Sequence, residues 1–266
     1  MICITQQSSK IQLDKHYTSP ELARYVVEKT KEVVGEKNIT EYLEPSAGSG
    51  VFLDYLDKPY LAYDIEPEDS RILKQDYLTL DLSYKAGRCT IGNPPYGMAN
   101  SKLKQFYKKS VLIGEYISFI IPISQLNNNN ELYDYDLIHS EDLGVREYSN
   151  IKKHCCLNIY KKPKHPNFKP KHKYKDVEII GWRKAKQTDC DFYICCYGSG
   201  VGRFVEKDSE LVNVNGVIVH NKELKSRVRQ VFEDARWVEM YPMMSSPNLL
   251  QWQMYKHLKE EIPELE

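Results

Sequence analysis

Apolar positions along the first half of the chain recur in two alternating rhythms. Leu22, Val26, Val27, Val33 and Val34 follow Ser19 and Pro20 at helical spacing, which predicts a helix over Pro20–Val34 capped by Ser19. Short apolar runs at Glu41–Leu43, Tyr60–Tyr63, Ser70–Lys74, Cys89–Gly92, Tyr116–Ile121 and His154–Tyr160 read as strands. Between them, Val51–Leu56 reads as the start of a helix and Ser101–Leu112 as an amphipathic helix. Strands that alternate with helices fold into a mostly parallel sheet covered on both faces. Ligands of such sheets bind at the carboxyl ends of the strands, and Asp64, Asp76 and Asn93 all fall at such ends.

The rhythm breaks at Lys161. The stretch Lys161–Lys175 holds Pro163, Pro166 and Pro170 and few apolar residues, so it reads as a linker or exposed loop. Beyond it, strands are expected at Val177–Trp182, Phe192–Tyr197 and Val212–Val219, with helices near Lys222–Phe232 and Asn248–Leu258. The expected organisation is an α/β domain over residues 1–162 and a smaller α+β domain over 163–266.

Charge changes this picture only locally. The chain carries 37 basic and 37 acidic residues, so its net charge announces no polyanionic partner. Between Lys152 and Lys186, however, twelve Lys and Arg face only Asp176 and Glu178. Clustered lysines of this kind suit a nucleic-acid backbone, with Lys152, Lys153, Lys161 and Lys162 as candidate phosphate contacts; a solvated linker is the bland alternative. No basic segment followed by an apolar run follows Met1, and no apolar stretch reaches membrane-spanning length, so a cytoplasmic protein without membrane contact is expected. The seven Cys include no C-x-x-C spacing, which predicts reduced thiols and no metal site. Cys155–Cys156 and Cys195–Cys196 sit in apolar runs and read as small buried hydrophobes.

The candidate chemistry gathers at the strand ends. Asn93-Pro94-Pro95-Tyr96 follows a strand directly. The Asn93 side-chain oxygen and the Pro94 carbonyl are two acceptors that a stiff Pro-Pro turn can aim at one exocyclic amine, such as N6 of adenine. Tyr96 offers a flat face for stacking a base. Glu44-Pro45-Ser46-Ala47-Gly48-Ser49-Gly50 makes a glycine-bearing turn after the first strand, where a backbone can approach a ligand closely. It lacks the spacing of a dinucleotide fingerprint. Asp64 can grip ribose hydroxyls, Ile65 can pack on a nucleoside base, and Asp76, with Tyr77 beside it, can accept from an adenine amino group. Taken singly, each aspartate is more often a turn former or helix cap; their serial placement at consecutive strand ends reverses that and favours a nucleoside site.

These residues resemble the class I adenine-N6 DNA methyltransferases in the gamma motif order. Glu44–Gly50 resembles motif I, Asp64 motif II, Asp76 motif III, and Asn93–Tyr96 the catalytic motif IV. Lys15-His16-Tyr17-Thr18-Ser19-Pro20 resembles motif X. The resemblance covers roughly residues 10–162. It implies a Rossmann-like, mostly parallel sheet of seven strands with a reversed last hairpin. It also implies S-adenosylmethionine as cofactor, with Tyr17 and Thr18 among its contacts, and an adenine flipped from duplex DNA against Tyr96. Tyr148 is the candidate for the base's other face. A cognate restriction endonuclease and a monomeric state are compatible with it, and DNA is expected between the two domains. Two other substrates stay open, because the same turn serves protein-glutamine and RNA adenine methyltransferases. A non-catalytic subunit that kept the fold would show a decayed turn, and Asn93, Pro94 and Tyr96 are intact. In the second domain Trp182, Arg183, Arg203, Asn213 and Asn215 can read bases, although a tryptophan such as Trp182 is more often core.

Overall fold

The computed structural model describes residues 17–148, 151–170, 172–242 and 246–266, with only the backbone at 147, 148 and 151. They form two compact units, one ending at Lys169 and the other beginning at Pro170.

The first unit is built on the strands β1 (Glu41–Glu44), β2 (Tyr60–Asp64), β3 (Leu73–Lys74), β4 (Arg88–Gly92), β5 (Tyr116–Pro122), β6 (Asp136–Tyr148) and β7 (Ile151–Lys161). They lie in the order β3-β2-β1-β4-β5-β7-β6. All run parallel except β7, which pairs antiparallel with both β5 and β6. This is a seven-stranded, mostly parallel sheet with a reversed last hairpin, the architecture that the sequence resemblance implies. Every residue of β1 and β4 is buried, as expected of central strands covered on both faces.

Helix α1 (Pro20–Val34) matches its sequence pattern from end to end. Ser19 Oγ accepts from the Leu22 amide at 3.3 Å, and Leu22, Ala23, Val26, Val27 and Val34 are buried. Helix α2 (Ser101–Ile113) turns Leu103, Phe106, Tyr107 and Ser110 inward. Two expectations are corrected, and one strand had no counterpart among them. Val51–Leu56 forms turns and a 3₁₀ segment at Leu53–Tyr55, not the start of an α-helix. The strand expected over Ser70–Lys74 shrinks to Leu73–Lys74, where Leu73 is 57% exposed, because an edge strand buries too little to hold a longer ladder. Strand β6 carries no apolar rhythm. It is an edge strand bulged between Leu137 and His139 and between Asp142 and Gly144, and its Asp, Glu and His residues suit an edge that must resist pairing with other chains.

The second unit is an antiparallel sheet in the order β10-β9-β11-β8, from β8 (Val177–Ile180), β9 (Phe192–Cys195), β10 (Phe204–Val205) and β11 (Val214–Val219). Short helices α3 (Trp182–Ala185) and α5 (Trp237–Met240) accompany α4 (Lys225–Asp234) and α6 (Gln251–Glu261). Val177, Ile179, Phe192, Ile194, Val217 and Val219 meet Val228, Phe232, Trp237, Met254 and Leu258 in one core. The α+β expectation therefore holds, but Trp182 is 44% exposed rather than core. The cysteines from Cys89 to Cys196 are all free thiols, and Cys155, Cys156, Cys195 and Cys196 are buried. Among the described residues no helix is long and apolar enough to cross a membrane, and no cluster suits a metal ion.

Candidate functional site

A cavity of about 380 Å³ opens at the carboxyl edge of the first unit's sheet, within the range of small-molecule sites. The ends of β1, β2 and β4 supply its floor, and most residues expected at a cofactor line it. From the turn after β1 come Glu44, Pro45, Ser46, Ala47 and Gly48. Asp64 and Ile65 come from the end of β2, Asp76 and Tyr77 from the segment after β3, and Asn93 and Pro95 from the turn after β4. Tyr17 and Thr18 close it from ahead of α1, while Lys15 and His16 lie outside the described residues.

The turn is held by the aspartate it faces. Asp64 Oδ2 accepts from the Gly48 amide and Oδ1 from the Glu66 amide, both at 2.8 Å. A carboxylate offers about four lone-pair sites, so each oxygen keeps one for a hydroxyl. Gly48 sits at φ 53°, and a Cβ built there meets nothing within 4 Å. The backbone, not the space, asks for glycine at this point. Ile65 is 47% exposed at the rim, an apolar plate beside the carboxylate. Asp76 is exposed and uses Oδ1 as a cap, accepting from the Leu78 amide at 2.9 Å; its other oxygen is left for a ligand. Tyr77 is buried, and its hydroxyl lies 2.7 Å from Ser110 Oγ.

Glu44 is the electrostatic outlier. It is 2% exposed, and its Oε2 has no hydrogen-bond partner. Burial, and then the charge of Asp64, push its carboxyl well above the ordinary range. A buried carboxylate oxygen without a partner in a ligand-sized cavity fits a cationic group. On the opposite rim, Tyr17 donates to Glu68, and burial followed by that carboxylate raises the phenol.

Asn93 is fixed from two sides. Its Nδ2 donates to Thr18 Oγ1 at 3.3 Å, and its Oδ1 accepts from the Tyr96 hydroxyl at 3.0 Å. A carbonyl oxygen has two lone pairs, so the Tyr96 bond is compatible with accepting a substrate N–H as well. The Asn93 carbonyl oxygen lies 3.5 Å from Ser46 Oγ, which ties the turn after β4 to the turn after β1.

Three expected residues stand elsewhere. Gly50 does not line the cavity; it serves the turn at φ 80°, its amide donating to Ala47 O at 2.7 Å. Pro94 is buried behind Asn93 and Pro95. Tyr96 presents no open face: it is 6% exposed in the cluster that holds Val26, Ile91, Ile120 and Cys155. Its hydroxyl is 3.4 Å from Ile120 O, and the Lys153 ammonium lies 4.9 Å from its ring centroid. Tyr148 closes β6, and its side chain lies outside the described residues.

The expected basic contacts do not share a place. Register pairs Cys155 with Pro122, at the carboxyl end of β5, and Lys161 with Tyr116, at its amino end. At about 3.3 Å per residue, Lys152 and Lys161 stand roughly 30 Å apart along β7. Lys152 and Lys153 are therefore near the cavity's edge of the sheet. Lys161 and Lys162 are at the far edge, where Lys162 lies 3.8 Å from the Tyr84 ring centroid.

Sequence reasoning missed the cavity wall made by Phe52, Gln75, Leu78, Gly97, Lys102 and Phe106. Phe106 belongs to the apolar stripe of α2, with its ring 5.2 Å from that of Tyr77, so its pattern marks it as core and hides its second role. Gly97, at φ 66°, carried the one available signal, a glycine immediately after the Asn93–Tyr96 turn.

Neither a protein-family model nor a curated protein sequence matches the chain. Solved structures do resemble it. A candidate RNA methyltransferase of Pyrococcus horikoshii aligns with 13% identity over 57% of this chain and 90% of that chain, at a TM-score of 0.45. A Thermoplasma acidophilum protein gives 16%, 60%, 98% and 0.44 in the same terms. The magnesium protoporphyrin IX methyltransferase of Synechocystis, solved with S-adenosylmethionine bound, gives 10%, 61%, 86% and 0.36. Likeness at that level identifies no substrate and no cofactor for this chain.

Proposed function

We propose that the chain is an S-adenosylmethionine-dependent methyltransferase acting on N6 of adenine in duplex DNA. The observation that carries this reading is the doubly held Asn93 amide at the wall of a nucleoside-sized cavity. Asp64 has two lone pairs suited to the two hydroxyls of a ribose, and Ile65 is an exposed apolar neighbour for the attached base. Glu44 brings a partnerless carboxylate oxygen to a cationic sulfonium or ammonium. When bound, the cofactor supplies an activated methyl on a positively charged sulfur, so the acceptor needs no titrating base. Asn93 Oδ1 accepts from one N–H group of the target amine, and the Pro94 carbonyl, which does not line the cavity here, would accept from the other once the turn opens to the base; two such bonds favour a pyramidal nitrogen with its lone pair available. Thr18 and Tyr96 keep the amide from turning. Flipping the base costs a few kcal/mol, offset by stacking and edge contacts. Stacking on Tyr96 requires the Lys153 ammonium to leave the ring.

The test is transfer of a labelled methyl from S-adenosylmethionine to unmethylated duplex DNA, total RNA and a protein extract in parallel. The expected result is N6-methyladenine in DNA. Asn93→Ala is expected to lower the rate by about 10²-fold or more, as loss of a preorganised hydrogen-bonding group does. Label in RNA or protein but not in DNA overturns the substrate, and no transfer to any of the three overturns the reading.

A further inference from the structure

The second unit holds a cavity of its own, about 490 Å³ in volume. The turn after β8 and helix α3 form one wall, with Trp182, Arg183 and Lys184. The segment running into α6 forms the other, with Asn248 and Gln251, and Asn215 of β11 lies below. Gln251 Nε2 donates to Ile179 O at 2.7 Å, which ties the two walls together and leaves its Oε1 to accept. Asn215 is 3% exposed, and among the described residues its Nδ2 donates to the Met254 sulfur at 3.4 Å. A thioether is a weak acceptor, so this buried carboxamide is held but poorly satisfied. The Arg183 guanidinium lies 5.2 Å from the centre of the Trp182 ring, and the tryptophan is still 44% exposed.

The chemistry of the lining is selective. Three carboxamides, a tryptophan, an arginine and a lysine meet here with no carboxylate. Another cavity of this unit sets Asp234, Glu239 and Glu261 against Arg227 and Arg236, and so neutralises itself. Carboxamides match the donor and acceptor edges of nucleobases, an indole face stacks on them, and Arg and Lys meet the phosphates beside them. An acidic peptide would use the two cations but has no need of an exposed indole and three amides around a cavity. We propose that this cavity is a second base-binding site, holding one unpaired or extruded nucleobase of a nucleic-acid strand. The base stacks as the next layer on the Arg183–Trp182 pair, with Lys184 toward the adjoining phosphate. The partner class rests on the reading above; the site does not, because binding reads it without methyl transfer.

The test is fluorescence anisotropy of the full chain with a labelled duplex that carries a single-base bulge, the same duplex fully paired, and AMP as competitor. The bulged duplex is expected to bind more tightly and to quench tryptophan fluorescence. Trp182→Ala is expected to weaken binding of the bulged duplex about tenfold, with Trp182→Phe restoring most of the loss. Arg183→Gln with Lys184→Gln is expected to flatten the salt dependence. Because Trp182 is exposed, these variants should melt as the parent does. Equal binding of both duplexes by the parent and by Trp182→Ala overturns the proposal. So does displacement by AMP alone at the concentration at which the strand binds, which would make the cavity a nucleotide site. A parent that prefers the bulged duplex through Trp182 but transfers no methyl would overturn the methyltransferase reading alone, which separates its failure from failure of this site.

Discussion

Glu44 and Asp64 are carboxylates in one cavity with opposite local support. Asp64 receives two backbone amides, whereas Glu44 has a buried oxygen with no partner. Burial and the neighbouring Asp64 raise the Glu44 carboxyl, so the folded state keeps a proton that the unfolded chain has already lost. The contribution of Glu44 to stability is therefore full below the ordinary carboxyl range and falls as pH rises through its raised value. A cationic ligand reverses the preference and expels the proton. Affinity for S-adenosylmethionine is expected to tighten as pH rises through that window, about tenfold for each unit of pKa the ligand displaces. Calorimetry in two buffers of different ionisation enthalpy would show proton release with S-adenosylmethionine and less with the uncharged-sulfur product. Glu44→Gln should abolish the release and flatten the pH dependence of the melting temperature. Release that is unchanged in Glu44→Gln would assign the proton to another group.

Strand β1 shows how one element separates stability from chemistry. Glu44 ends it without a partner, while Glu41 begins it with two: Arg88 Nε at 2.6 Å and Lys85 Nζ at 2.6 Å. Burial works against the Glu41 carboxylate, yet the bonds from Lys85 and Arg88 hold it below the ordinary range. Its stabilisation is present at neutral pH and is lost as pH falls, the opposite sign to Glu44. Arg88 also donates to Ser83 O at 2.8 Å and Ile113 O at 2.9 Å, which anchors the start of β4 to the end of α2. Arg88→Met leaves Glu41 half-partnered in the interior and is expected to cost about 3 kcal/mol in urea unfolding. Cofactor affinity per folded molecule should stay unchanged, because the substitution lies at the edge away from the cavity. The same geometry decides what could be read from sequence. Glu44–Gly50, Asp64, Asp76 and Asn93 were legible because each is a turn that ends a strand, a purely local signal. Phe106 and Lys102 reach the cavity from α2 across the sheet edge, and no local pattern records that. Tyr96 was legible as a residue but not as a buried one, since its cover includes Lys153 and Cys155, more than fifty positions away, and Val26 and Ile120 from other elements. Strand β6 was missed because an edge strand needs neither face fully apolar.

At the scale of the molecule, equal numbers of acidic and basic residues leave attraction of a polyanion to local groups. The lysine-rich run predicted as one binding strip is dispersed by the fold. Lys161 and Lys162 lie at the sheet edge opposite the cavity, Lys175 pairs with Glu266, and Lys186 donates to Ser209 O. Lys152 is exposed near the cavity's edge, and Lys153 lies over Tyr96 beside it. If duplex DNA meets the cavity edge, only the second pair displaces counterions there. The slope of log K against log salt is expected to fall by about one for each of Lys152→Gln and Lys153→Gln. The double substitution Lys161→Gln with Lys162→Gln should leave the slope as it was. Slope is the better readout than affinity at Lys153, because removing that ammonium also uncovers the Tyr96 ring and can favour a stacked base while it loses a phosphate. A loss of slope in Lys161→Gln with Lys162→Gln equal to that of Lys152→Gln combined with Lys153→Gln would mean that the duplex reaches the far edge as well, and would restore the lysine run as a single binding strip.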